Sequence, residues 1–193
     1  MIVINKLLSM IEKDSLQLAK KWKKEMLESE YTYTYKKISE KELIKRGELD
    51  FVNLGEWIDG DIGMEEIGKD YINIGKERFI EGFALSEILY AFHCSKKLLW
   101  NYILSSGILR SALEIYQAMD LIVRIYNFYD IAAFYIIRGY QQSLFAKLAQ
   151  RKKGIDVKTL KNIFPLGYAF TENGEDKSLT EDWVHSWNLF KAK

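Results

Sequence analysis

Helix-breaking residues are scarce in this chain of 193 residues: its single proline is Pro165, so about the first 160 positions hold no ring that would remove a helical hydrogen bond. Cysteine is equally rare. One thiol, Cys94, excludes an internal disulfide and fits a reducing compartment. Charge of one sign is not in excess, since 28 Lys and Arg face 27 Asp and Glu, and no bulk field favours nucleic acid or an anionic membrane. No run of 18 apolar residues occurs, and the stretch from Met1 to Lys13 lacks a basic segment followed by a long apolar run and a cleavage site. A cytoplasmic protein without membrane insertion is expected. Histidine numbers only two, His93 and His185, which poorly supplies histidine-based catalysis. His93 and Cys94 are adjacent, so on a helix they diverge by about 100° and form no common ligand face. Without a CxxC, an HExxH or a second cysteine, neither a metal site nor an enzyme is expected.

What is present is core. A composition that is 48% hydrophobic and 28% charged describes a soluble globular domain, and with few strand-like alternations the fold class is all-α. From Ile4, the residues Leu7, Leu8, Ile11, Leu18, Trp22 and Met26 recur at helical spacing and predict one first amphipathic helix. The alternating Tyr31 to Tyr35 reads as an extended connection, since a lone strand has no partner. Ser39 and Glu42 form a capping-box pattern that opens a second helix carrying Leu43, Ile44, Phe51, Leu54, Trp57 and Ile58. The glycines of residues 59–63 fit neither dinucleotide nor P-loop spacing and mark a turn.

A third helix over about Met64 to Glu81 sets Ile67, Tyr71, Ile74 and Arg78 on one stripe. Gly82 suits the left-handed position after a helix, and Ser86 can cap a fourth helix running to about Ser105. That helix carries Ile88, Leu89, Phe92, Leu99 and Ile103 on one face and Ala91, Leu98 and Tyr102 on another, which implies two neighbours. Helix is then predicted from about Leu109 to Lys153, too long for a compact domain unless it bends near Asn127 or Gly139. Asp120 with Arg124, and Asp130 with Arg138, are candidate ion pairs. The domain is drawn at 1–153. An extension at 154–193 holds a polar loop, a capping box at Ser178 to Glu181, and a stripe of Trp183, Val184, Trp187 and Phe190 that docks on its own domain or on a partner.

The join from Ile74 to Leu89, with Trp22, Ala91, Trp100, Asp130 and Tyr135 elsewhere, resembles the globin-type bacterial sensor domains over about residues 10 to 150. Specifically it is similar to their non-haem branch, the N-terminal domains of stressosome RsbR proteins and the sensor domains associated with sporulation kinases. In the haem-binding relatives a histidine stands four residues before the corresponding glycine; here Arg78 does, and a guanidinium has no lone pair for iron. The resemblance implies a globin-like domain without cofactor that binds a small apolar or fatty-acyl ligand. It also implies a homodimer formed through the last two long helices, and a signalling partner such as a sensor histidine kinase or a stressosome-type protein.

On that reading Phe79, Phe83, Phe92 and His93 line the ligand site. Arg78 either packs its stem and turns its head to water or a surface carboxylate, or anchors a ligand carboxylate or chloride. Two other readings remain: a haem protein with His93 as axial ligand, and a helical enzyme. Against the first stands the general habit of helical histidines to be packed, hydrogen-bonded core residues.

Overall fold

The computed structural model describes residues 2–52, 54–59 and 64–150. Among them every regular element is helical: α1 (Ile2–Lys13), α2 (Ser15–Glu28), a 3-10 turn (Thr34–Lys37), α3 (Glu40–Val52), α4 (Leu54–Asp59), α5 (Met64–Ile80), α6 (Leu85–Leu104) and α7 (Ala112–Gln150). No helix among the described residues is long and apolar enough to cross a membrane. The extension predicted at 154–193 lies outside the described residues. The chain forms two compact units, Met1–Ile62 with Glu81–Phe134, and Gly63–Ile80 with Tyr135–Lys193.

In the first unit, the predicted first helix is two. Asp14, at φ −96° and ψ 10°, separates α1 from α2, although the amides of Asp14 and Leu18 still reach the carbonyls of Met10 and Asp14 at 3.0 Å. The tyrosine of α6 that sits here explains the break. Tyr102 Oη lies 2.7 Å from Asp14 Oδ2 and 3.1 Å from the Met10 carbonyl. Its one proton goes to the carboxylate, where the bond is charge-assisted. Burial first, then the bond to Asp14 and its negative charge, push the Tyr102 hydroxyl from 10.0 up to about 12.

Helices α2 and α3 pack closely against each other. Leu18, Ala19, Trp22 and Met26 meet Leu43 and Phe51, all buried, and each large side chain contributes about 1.5–3 kcal/mol by leaving water. Gly47 makes room for the indole, since a Cβ there would stand 3.0 Å from Trp22 Cε3. Ser39 Oγ does accept the Glu42 amide, at 3.3 Å, as the capping pattern predicted. The predicted second helix is described as α3 and α4, helical on both sides of residue 53, which lies outside the described residues. Tyr31 to Tyr35 is not an extended connection: it turns and enters the 3-10 segment, with Thr32 tucked inward onto the Met26 carbonyl at 2.7 Å while Tyr31 and Tyr33 face solvent. The hydroxyl outcompetes the rings because it satisfies a helix-end carbonyl.

The second unit rests on a close crossing of α5 and the C-terminal part of α7. Gly75 lies against the carbonyl of Ile136 and Gly139 against the carbonyl of Ile72, both too near to admit a Cβ. Gly68 receives the Tyr135 ring. Phe79 then packs edge-on to Tyr140, centroids 5.1 Å apart, with the Lys147 ammonium 5.4 Å above its ring. Helix α7 continues through Asn127 and Gly139, 39 residues in all.

Two outcomes are expected. Replacing Gly139 by Ala, which in an exposed helix is favourable by about 1 kcal/mol, instead forces backbone apart and costs about 1–3 kcal/mol, read as a lower urea midpoint. The Tyr102 value is raised in the folded chain, so its stabilisation is complete below pH 10 and is lost as pH rises through about 12. Tyr102→Phe should therefore be less stable than the parent at pH 8, by about 1 kcal/mol, and the gap should close in alkaline unfolding curves.

Candidate functional site

The segment between α5 and α6 is tied down on both sides of Gly82. Gly82 has φ 82°, the left-handed conformation expected after a helix. Just before it, Glu81 takes a two-pronged bond from Arg46 of α3, at 2.7 and 3.0 Å. Arg46 also donates to Glu42 through Nε, at 2.8 Å, so one guanidinium fixes the turn to α3.

Ser86 is not the cap that sequence suggested. Helix α6 begins at Leu85, with Ala84 at the capping position in extended conformation, ψ 141°. Ala84 has no side-chain acceptor, and the work falls to Glu87: its Oε2 accepts the Ala84 amide at 2.9 Å, and its Oε1 accepts the Thr34 amide at 2.6 Å. Only 6% exposed, Glu87 feels burial most strongly, which raises its pKa. The bonds from Thr34 and Ala84, with the charge of Lys37, more than offset that and hold the carboxyl below its ordinary value. The signal for this missed residue was present as a glutamate three positions into the helix.

Around this staple an aromatic chain forms. Phe83, 1% exposed, meets Tyr35 edge-on at 4.7 Å; Tyr35 meets Trp22 at 5.6 Å; and Trp22 Nε1 donates to the Ala91 carbonyl at 3.2 Å. Phe92 belongs to a second chain, at 5.4 Å from Tyr129, which touches Phe128, itself stacked at 5.0 Å on Trp57. Tyr129 is buried outright. Its hydroxyl lies beside Ser95 without a well-formed hydrogen bond, and burial, then the charge of Asp50, push its pKa well up.

The five residues expected to line a ligand site are thus divided. Phe83, Phe92 and His93 belong to the first unit, in three different surroundings; Arg78 and Phe79 belong to the second, both half-buried on α5. Arg78 follows buried Ile67 and Tyr71 on the predicted stripe. His93 is not the packed core histidine expected but an exposed one, its ring 6.3 Å from that of Tyr90. Asp130 pairs with Lys96 of α6 at 2.7 Å rather than with Arg138, whereas Asp120 and Arg124 pair at 2.9 Å as predicted.

A groove of about 370 Å³ runs between α2 and α6, where Trp22, Cys94 and Leu98 meet Lys21, Lys24, Glu25 and Lys97. Its charged walls suit a polar guest rather than an acyl chain. Burial raises the Cys94 thiol despite the Tyr90 hydroxyl and Lys97, which lower it, and Glu25 adds to the rise; the thiol stays protonated at neutral pH and is a poor nucleophile. Among the described residues no three His, Cys, Asp or Glu side chains gather as a metal-binding group.

No protein-family model, no curated protein and no solved structure matches the chain.

The Glu87 staple makes a pH-dependent prediction. Its folded value lies below the ordinary 4.5, so the stabilisation is present above that pH and is lost as pH falls through the folded value. Glu87→Gln, which removes the charge from two amide bonds, should cost about 1.5–3 kcal/mol at pH 7 and much less at pH 3, measured by denaturant titration at both.

Proposed function

We propose that this chain is a non-catalytic regulatory protein with a globin-like sensor fold, acting in the cytoplasm as a homodimer. Its input is a small apolar ligand of fatty-acyl type. Its output is an altered interaction with a signalling partner, such as a sensor histidine kinase or a stressosome-type protein.

The observation that carries the reading is the surface of α7. Tyr116, Met119, Val123 and Tyr126 form an exposed stripe on one helix, with Ile115 beside them and Leu104 exposed at the end of α6. Contiguous exposed apolar area of this kind on a soluble chain marks an interaction surface. It supports a protein that works by association.

The ligand half of the reading rests on the resemblance at the α5 to α6 join and on Arg78. A histidine in that place would suit haem; a guanidinium suits a carboxylate, with a methylene chain contributing about 0.8 kcal/mol per buried CH₂. Phe79, next to it on α5, supplies apolar surface.

Light scattering at micromolar concentration is expected to give twice the mass of the 22.7 kDa chain, and a monomer would refute the dimer. Saturated fatty acids from decanoate to stearate should raise the melting temperature, and Arg78→Ala should weaken their binding by about 1.5–3 kcal/mol with helical content unchanged. A haem absorption band acquired stoichiometrically and lost in His93→Ala would overturn the ligand assignment.

A further inference from the structure

The spacing of the stripe on α7 reads the same from either end. Tyr116, Met119, Val123 and Tyr126 follow at spacings of three, four and three, tyrosine at both ends. At about 100° per residue they lie within about 40° of one direction. That direction is opposite Leu121, midway along the stripe and 0% exposed. Continuing both ways in the same direction, the stripe ends at Ala112 and at Asp130, whose carboxylate holds Lys96; that ammonium in turn sits 5.1 Å over the Tyr126 ring.

We propose that two copies of the chain pair α7 against α7 in antiparallel sense, about a two-fold axis at the level of Leu121. The proposal rests on the dimer reading above and supplies its register. In this arrangement Tyr116 faces the partner's Tyr126, and Met119 faces the partner's Val123. Each contact occurs twice, as an isologous interface requires.

Apolar spacing alone would also serve a parallel pair, and charge decides between them. Asp120 and Arg124 flank the stripe on one side and pair within the helix at 2.9 Å. Turned about the two-fold, that flank meets its own copy, so that Arg124 stands one helical turn or less from the partner's Asp120. Two acids and two guanidiniums then form one closed network of zero net charge, in which the guanidiniums offset the approach of the two Asp120 carboxylates across the two-fold. In a parallel pair with the stripe as its seam, the position before the stripe meets the one after its second member. Asp120 would there face the partner's Ile115, which desolvates a carboxylate against a hydrocarbon.

The test is disulfide trapping in the full chain, whose own Cys94 is buried. Facing positions on an antiparallel pair bring Cα atoms within the roughly 4.4–6.8 Å that a disulfide needs. Under mild oxidation, a mixture of Met119→Cys and Val123→Cys proteins is expected to give a cross-linked dimer, while either protein alone and the parent give little. Ready cross-linking of each variant with itself would overturn the antiparallel register and leave the dimer standing. A dimer by light scattering that no combination traps would remove α7 from the interface, and monomers throughout would sink the dimer reading itself. Asp120→Arg should weaken the dimer at least tenfold, and adding Arg124→Asp should restore it; no rescue by the second change would refute the charge network.

Discussion

The buried carboxylate of Glu87 is the constraint on which the first unit depends. The amide of Ala84, the capping residue of α6, needs an acceptor, and so does the amide of Thr34 in the chain leaving α2. Glu87 answers both with its two oxygens. Tyr35 follows directly from the Thr34 contact, and against Tyr35 both Phe83 and Trp22 find their faces. The order of α2, the connecting turn and α6 is set by one buried carboxylate.

Polar ties of this long-range kind recur in the unit and bind elements far apart in sequence: Arg46 to Glu81, Lys96 to Asp130, Tyr102 to Asp14. Two of them join a helix to a place where another stops or breaks, Glu81 after α5 and Asp14 between α1 and α2, while Lys96 and Asp130 join two helix interiors. The apolar contacts supply the bulk of the stabilisation and little of the direction, since burial is proportional to area and indifferent to orientation. Directional bonds at helix ends choose among the packings that burial allows.

Much of this was legible beforehand. Helical class, Gly82, the Ser39 cap and the Asp120–Arg124 pair all follow from local rules acting over four residues or fewer. What stayed hidden needed a partner from elsewhere in the chain. Nothing near Asp14 announces a break, because the tyrosine that makes it is Tyr102. Asp130 has Arg138 two turns on, yet Lys96 comes closer through the fold. The glycines of α5 were readable as a seven-residue repeat, Gly68 and Gly75, that places two bare patches on one helix face; only the matching Gly139 shows what they were for. The candidate ligand residues were read as one group from a resemblance; Phe83, Phe92 and His93 fall in one unit and Arg78 and Phe79 in the other.

The glycine crossing has a mechanical consequence. When carbonyls of α5 and α7 each seat in the other's bare backbone, axial sliding is not a continuous motion. Slipping α7 by one residue would drive Arg138 or Tyr140 into the space by Ile72 that only Gly139 can occupy. The pair behaves as a detent, with one seated position and steep walls on either side.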